Sequence, residues 1–428
     1  MTQRVCVIGA GPSGIAAAKN LKDAGLEVTI FDRGKEVGGN WVFDAESGHS
    51  SVFETTHIIS SKKFSQYDDF PMPDEYPDYP SHAQLAAYFQ SYARRFGLYE
   101  ITRFETTVLR CEQAGSGWEV ESKKGDVVTR DRFDFLVVAN GHHWKARMPS
   151  YPGTFTGELV HSHDFKRAEA FRGKRVLVIG GGNSACDVAV ETARVSKSTD
   201  LSWRRGYWIV PKFMFGVPTD HIHNWIDDHL PFVPRPMLRF GLEKLLVLLQ
   251  GKNEAYGLPT ADHHLFETHP TANSELLYFV RHGRIKPRRD IQRWDDKNVT
   301  FVDGQTAEYD AIIACTGFEI AHPFLDPGLV DFSSGPVPLY LRMIPEKPAN
   351  IYFVGLFQPL GCIWPAAELQ SKILARLVTG QWSPPAALGE LIKDELAHPD
   401  VEQVDSPRHT ITVDYPRFRK RLLAQLSR

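Results

Sequence analysis

One short unit occurs twice in this chain, and that duplication limits the possible folds more than any other feature of its 428 residues. Each copy reads as a buried strand, a glycine-rich turn, a helix and a second strand. In the first, Arg4–Gly9 (RVCVIG) leads into Gly9, Gly11 and Gly14 of G-A-G-P-S-G. Ile15–Ala24 then has helical character, Gly25 ends it, and Glu27–Phe31 (EVTIF) closes on Asp32. In the second, Lys174–Ile179 (KRVLVI) leads into Gly180, Gly182 and Ala185 of G-x-G-x-x-A. A helix over Asp187–Val195 follows, then a strand over Asp200–Trp203 that ends at Arg204-Arg205. A lone G-x-G-x-x-G is weak, but a strand before it and a helix after it supply the context its mechanism needs. The expected fold class is therefore α/β, with two Rossmann-like dinucleotide-binding domains.

The two copies differ where two different nucleotides require it. In the first, Gly9 permits the tight turn, Gly11 lets backbone approach a pyrophosphate, and Gly14 lets helix and strand pack closely. Pro12 and Ser13 complete the turn, whose helix N-terminus offers N–H groups to phosphate. Asp32, followed by Arg33, can accept from both ribose hydroxyls, which points to FAD. The second copy has no acid at the matching place. A carboxylate there would repel a 2′-phosphate, whereas the guanidinium groups of Arg204 and Arg205 can hold one, which points to NADPH. Gly180, Gly182, Asn183, Ser184, Ala185 and Asp187 form the rest of that candidate site.

Between the copies, residues 44–82 are loop-rich and Ala83–Phe96 looks like an amphipathic helix. Residues 104–130 alternate like antiparallel strands, and Phe133–Ala139 is a buried strand ending at Asn140-Gly141. Residues 206–275 read as irregular, rich in aromatics, His and Pro. Ala311–Cys315 and Ile351–Val354 are further buried strands, the first read as the return strand before Thr316-Gly317. A helix is expected over about Pro365–Val378. The tail Tyr415–Ser427 reads as a basic amphipathic helix, expected to be solvated at the surface, with membrane contact as the alternative. The expected organisation is a split FAD domain (1–152 and 309–428) with the NADPH domain (153–308) inserted.

Composition excludes several classes. The net charge of -3 draws the chain toward neither nucleic acid nor an anionic membrane. No run approaches the ~20 apolar residues that span a bilayer, and no cleavable signal-peptide pattern opens the chain. Cys6, Cys111, Cys186, Cys315 and Cys362 are scattered and form no C-x-x-C, as expected of reduced thiols in a cytoplasmic protein. His142-His143, His221-x-His223 and His263-His264 have no Cys partner and no H-E-x-x-H helix, so no metal site is expected.

Further segments carry a resemblance. Phe155-x-Gly157-x-x-x-His161-Ser162-x-x-Phe165, Gly38-Gly39-Asn40-Trp41, Asp69-Phe70-Pro71-Met72-Pro73, His269-Pro270-Thr271, Cys315-Thr316-Gly317-Phe318, Gly355-Leu356-x-Gln358 and Glu368-Leu369-Gln370 occur in order. Together with the two turns they resemble the flavin-containing monooxygenases over nearly the whole chain. Phe165 stands where that family usually has Tyr or Trp. The resemblance implies a cycle. NADPH reduces FAD, the reduced flavin captures O₂ as a C4a-hydroperoxide, NADP⁺ shields it, and a soft nucleophile, an amine nitrogen or a sulfur, takes the distal oxygen. The partners it implies are a small-molecule nucleophile and O₂, and proteins of this kind are often homodimers. The flavin supplies the hard chemistry, so no Ser-His-Asp set is needed. Asn40, Ser60 and His57 are the candidate catalytic residues. Trp41, Ile59, Val108 and Gln358 join Asn40 and Ser60 as candidate cofactor contacts, and His161 is expected to shape the interdomain hinge.

Ile59 departs from the family pattern. It aligns where many members carry an Asn whose amide holds NADP⁺ and the peroxyflavin, and isoleucine has no side-chain hydrogen bond to offer. Either Asn40, His57 or Ser60 takes over or the intermediate is shorter-lived. Baeyer–Villiger oxygenation of a ketone and reduction of a disulfide or protein partner are the competing activities. The absent C-x-x-C disfavours disulfide reduction.

Overall fold

The computed structural model describes residues 2–43, 48–230, 232–330, 332, 337–347, 349–399 and 410–427. Residues 44–47 of the loop-rich stretch lie outside the described residues. The chain forms two compact units, one from Met1–Lys145 with Glu319–Arg428 and one from Ala146–Phe318.

The first unit opens with β1 (Arg4–Ile8), whose Val5, Cys6 and Val7 are wholly buried. Its apolar run has no alternation because both faces of a parallel sheet are covered. The next element, α1 (Pro12–Asp23), begins with a proline where a missing N–H costs nothing. It buries Ile15, Ala16, Ala17, Ala18 and Leu21. Then β2 (Glu27–Phe31) runs parallel to β1 with Phe31 opposite Ile8. A capping box starts α2 (His82–Arg95): Ser81 Oγ accepts from the Gln84 N–H, and Gln84 Oε1 accepts from the Ser81 N–H. After β3 (Thr102–Arg103), the alternating stretch folds as expected into the antiparallel β4 (Thr106–Ala114), β5 (Gly117–Lys124) and β6 (Val127–Phe133). The fully buried β7 (Phe135–Val138) returns beside β1.

The second unit contains β8 (Glu158–His161), β9 (Arg175–Ile179), α3 (Asn183–Val195) and β10 (Ser198–Ser202). Two helices follow, α4 (Thr219–His229) and α5 (Arg235–Gln250), and then β11 (Ile285–Arg288) and β12 (Ala311–Ala314). The five strands form a parallel sheet in the order β8-β12-β9-β10-β11. Inside it, Arg288 of β11 donates to Asp200 of β10 at 2.6 Å, and the Tyr309 hydroxyl donates to the same carboxylate oxygen at 2.6 Å.

Two expectations fail here. The sequence places the strand in Ala311–Cys315 in the returning FAD segment, but β12 lies between β8 and β9 in the second unit. The unit boundaries accordingly fall at 145/146 and 318/319 rather than 152/153 and 308/309. A strand buried at all four positions fits the middle of either parallel sheet, so its composition does not choose between them. The second failure is the irregular reading of 206–275, which contains α4 and α5. Their apolar residues do not gather on one buried face. Phe240 and Leu248 stay exposed and Leu246 is the one buried residue along α5. The period of a core-facing helix is therefore missing.

Returning to the first unit, β13 (Ile351–Phe353) pairs with β7 and completes the parallel order β13-β7-β1-β2-β3. Next comes α6 (Trp364–Val378), buried along most of its length in the same apolar cluster as α1. The last helices are α7 (Leu388–Ala397) and α8 (Tyr415–Leu426). The tail helix is not merely solvated: α8 sinks Phe418 and Leu422 into that cluster, and Asp414 caps it by accepting from the Arg417 N–H at 3.0 Å.

Candidate functional site

The first glycine turn is shaped by close backbone approach. A Cβ on Gly9, which sits at φ +108, would lie 2.6 Å from the Ala139 carbonyl oxygen, and one on Gly14 would run into the Gly9 carbonyl. A Cβ on Gly11 would meet only Gly39, 3.7 Å away, so that side of the turn is open for a ligand. Gly11 is also the N-cap of α1, no side chain caps the helix, and its first turn carries no acid. These features fit the pyrophosphate of a dinucleotide.

Asp32 follows β2 and reaches back to the turn. Its Oδ2 accepts from the Ala10 N–H at 2.6 Å and its Oδ1 from the Gly34 N–H at 2.6 Å. Burial pushes its pKa up, and the two N–H donors and Arg33 pull against that shift. Each carboxylate oxygen keeps lone-pair capacity for a ribose hydroxyl. Arg33 Nη2 meets His49 Nδ1 at 2.6 Å and its guanidinium lies 5.0 Å from the Trp144 ring centre. Neither His49 nor Trp144 stands out in sequence, because the chain brings them beside Arg33 only through tertiary folding.

A polar chain of contacts continues from the turn. Gly38 N–H donates to Ala10 O, and Asn40 Oδ1 accepts from the Ser51 N–H at 2.7 Å. Ser51 Oγ donates to the His143 carbonyl, and the adjacent His142 Nε2 stands 3.5 Å from Gln358 Oε1. Burial and His143 push the His142 pKa well down, so its ring is neutral. Its Nδ1 is buried without a partner among the described residues. Pro12 O accepts from the Tyr67 hydroxyl at 2.7 Å, and Gly355 leaves room for Ser13, whose Oγ would collide with any Cβ there. The buried Gln370 accepts from the Gly355 N–H at 2.9 Å.

The remaining candidates in this unit differ in placement. Trp41 is half-buried, edge-on to Trp364 with centroids 5.7 Å apart. Val108 is buried in the apolar cluster under β4. Ser60 is buried and bonds Ser65 Oγ at 2.8 Å. Ile59 is half-buried. His57 is exposed, with Nδ1 2.8 Å from the Thr55 carbonyl.

The second unit repeats the turn. Gly180 sits at φ +130, and a Cβ there would lie 2.5 Å from the Cys315 carbonyl oxygen. Gly182 is the N-cap of α3, again with no side-chain cap and no acid in the first turn. Asn183 Oδ1 accepts from the Ala272 N–H at 2.7 Å, Ser184 is exposed and Ala185 buried. Asp187 Oδ1 accepts from Asn273 Nδ2 at 2.7 Å, and burial pushes its pKa up to about 6. At the position after the second strand, where the first unit has Asp32, stands the buried Trp203. Arg204, exposed, and Arg205, half-buried, follow it. Neither guanidinium forms an ion pair among the described residues, and Arg205 Nε is buried without a hydrogen-bond partner. This cationic strand end fits a 2′-phosphate.

The Phe155–Phe165 fingerprint has a packing role within this unit. A Cβ on Gly157 would lie 2.6 Å from the Phe155 ring and 2.8 Å from the Asp310 carbonyl. His161 Nδ1 accepts from the His163 N–H at 3.0 Å, and Phe165 stacks on Phe171 with centroids 5.6 Å apart. Burial pushes the Cys315 thiol up to about 12, so it is inert at neutral pH.

A family model described as flavin-binding monooxygenase-like matches residues 2–426. Human flavin-containing monooxygenase 5 is 34% identical over 433 residues, covering 96% of this chain and 80% of that protein. Rabbit (Oryctolagus cuniculus) dimethylaniline monooxygenase (N-oxide-forming) 2 is 35% identical over 403 residues, covering 90% and 75%. Among solved structures, S-allyl-L-cysteine S-oxygenase from Allium sativum superposes with a TM-score of 0.73 at 23% identity, covering 100% of this chain and 89% of that one. An open structure of cyclohexanone monooxygenase gives 0.75 at 16% identity, covering 100% and 98%. The last two likenesses are likenesses of fold.

Proposed function

Since the chain belongs to the flavin-binding monooxygenase-like family and is an oxidoreductase of that kind, we propose that its first turn seats FAD, its second seats NADPH, and its substrate is a small molecule with a nucleophilic nitrogen or sulfur. One observation carries the cofactor assignment: two glycine turns of the same shape are followed by opposite charges, Asp32 after β2 and Arg204-Arg205 after β10. A carboxylate selects ribose hydroxyls, and a guanidinium pair selects the extra phosphate of NADPH. The N-oxide-forming name of the rabbit relative, at 35% identity, supports nitrogen as an acceptor of oxygen.

When bound, the flavin supplies hydride acceptance and oxygen activation, and NADPH supplies the hydride. The protein's own residues bind and orient. The N–H groups of α1 and α3 hold phosphates, Asp32 holds a ribose, and Arg204 and Arg205 hold the 2′-phosphate. Among the three candidate catalytic residues, Asn40 fits best. Ser51 occupies its amide oxygen, so its NH₂ group is fixed in orientation and can donate. Ser60 supports its segment through Ser65, and His57 turns its ring to Thr55 at the surface. Five free cysteines, and no described helix long and apolar enough to cross a membrane, support a cytoplasmic enzyme.

The test is to mix the yellow protein with NADPH without oxygen, then add oxygen together with a tertiary amine, a thioether or a ketone. Bleaching by NADPH followed by N-oxide or sulfoxide is expected. An ester from the ketone alone would move the substrate class to Baeyer–Villiger chemistry. Bleaching with no oxygenated product from any of the three would leave a reductase.

A further inference from the structure

Gly181, the middle residue of the second turn, carries a neighbour that the first turn lacks. A Cβ on Gly181 would run into the edge of the Tyr207 ring, and the ring carbon bearing the hydroxyl would be only 3.0 Å away. The equivalent residue of the first turn is Ala10, whose N–H is taken by Asp32. In the second unit an aromatic ring thus fills the space where a side chain at 181 would project.

The ring is held there by its surroundings. Trp203, which is buried, meets it edge-on with centroids 5.4 Å apart. The Arg205 guanidinium lies 5.9 Å from its centre on one face. Asn253 Nδ2 donates both to the Tyr207 carbonyl and to the Pro259 carbonyl, at 3.0 Å each. Gly206 is pressed against the Thr260 backbone, so no other residue fits beside Tyr207. Against this fixation, the Tyr207 hydroxyl has no hydrogen-bond partner among the described residues, and the side chain is half-exposed. The Tyr207 ring, with the carbon that bears its hydroxyl, therefore packs on Gly181, one residue before the uncapped start of α3 at Gly182.

We propose that Tyr207 is a further binding residue of the second dinucleotide site, its hydroxyl donating to the pyrophosphate held at the start of α3, with Gly181 as the partner that makes room for it. This rests on the reading of the second turn as the NADPH site. The contact is to the pyrophosphate, which NADPH, NADH and ADP-ribose share, so Tyr207 sets affinity for all three. Arg204 and Arg205 set the preference among them. A hydrogen bond from a neutral donor to a phosphate oxygen is charge-assisted, and its loss costs roughly tenfold in affinity.

The test uses the FAD-loaded protein and measures dissociation constants for NADP⁺, NAD⁺ and ADP-ribose by calorimetry. Tyr207→Phe keeps the ring and removes the hydroxyl, and it should weaken all three by a similar factor of roughly ten, with the melting temperature unchanged. Gly181→Ala should weaken all three as well, by displacing the ring. A loss in Tyr207→Phe confined to NADP⁺ would overturn the proposal by moving the hydroxyl to the 2′-phosphate. No loss with any ligand would overturn it outright. Failure of the underlying reading looks different: the parent protein would not discriminate NADP⁺ from NAD⁺, or an Arg204→Ala/Arg205→Ala variant would keep the discrimination.

Discussion

Asp32 Oδ2 accepts a hydrogen bond from the Ala10 N–H at 2.6 Å, and this bond ties the end of β2 to the glycine turn after β1. On the proposed reading, the carboxylate that shapes the turn also presents lone pairs to a ribose, so building the site and binding the ligand are one job. Asp32→Ala should therefore weaken FAD binding by roughly a hundredfold or more, the loss of two to three charge-assisted hydrogen bonds. Titration of the apoprotein with FAD, followed by flavin fluorescence, measures it. Undiminished affinity would remove Asp32 from the site.

At the other turn the charge is reversed. Arg204→Ala/Arg205→Ala should lower kcat/KM for NADPH by on the order of a hundredfold and leave NADH within a few fold, since only the 2′-phosphate loses its partners. Initial-rate kinetics with both coenzymes decides it. An equal loss with both would assign the pair to general phosphate attraction instead.

Asp187 gives a pH dependence. Its pKa is pushed up from 3.8 to about 6 by burial. Below the lower value the carboxyl is protonated in folded and unfolded chains alike. Between the two values the folded chain keeps a proton that the unfolded chain releases, so its contribution to stability falls as pH rises and is gone above about 6. Asp187→Asn removes the effect. Its unfolding free energy minus that of the parent should rise with pH across this window, by at most ~3 kcal/mol at 1.36 kcal/mol per pK unit, and then flatten. Thermal melts across the window in several buffers test it, and a difference that does not change with pH contradicts it.

Ile59 is half-buried and has no side-chain donor. If the segment then protects activated oxygen less well, NADPH is spent on hydrogen peroxide rather than product. Ile59→Asn should lower peroxide released per NADPH consumed severalfold. An Asn40→Ala variant should raise it if Asn40 has taken over the task. Peroxide yields of both variants beside the parent separate the two cases, and unchanged yields in both would remove this segment from oxygen protection.

Much of the fold was legible because its signals are local. Gly9, Gly14 and Gly180 are glycines because backbone crowds them, and strand, turn and helix follow one another without gaps. The opposite charges after β2 and β10 are read directly from sequence neighbours. What was missed depends on distant contacts. The strand Ala311–Ala314 is apolar on both faces, and only its pairing with β8 and β9 assigns it to the second unit. The helices α4 and α5 were hidden because their apolar residues stay exposed instead of marking a buried stripe. In the candidate sites, His142 beside Gln358 and Tyr207 over Gly181 join residues far apart in the chain. Neither pair has a motif. His57 shows the converse: its chemistry suits the task, and the fold leaves it at the surface with its ring turned to the Thr55 carbonyl.

The most direct test of the central claim is product analysis under isotopically heavy dioxygen with NADPH and a tertiary amine or thioether. The account predicts one heavy oxygen atom in the N-oxide or sulfoxide for each NADPH consumed by the coupled reaction, and none when heavy water replaces heavy dioxygen. NADPH oxidation that yields only hydrogen peroxide across amines, thioethers and ketones alike would contradict it.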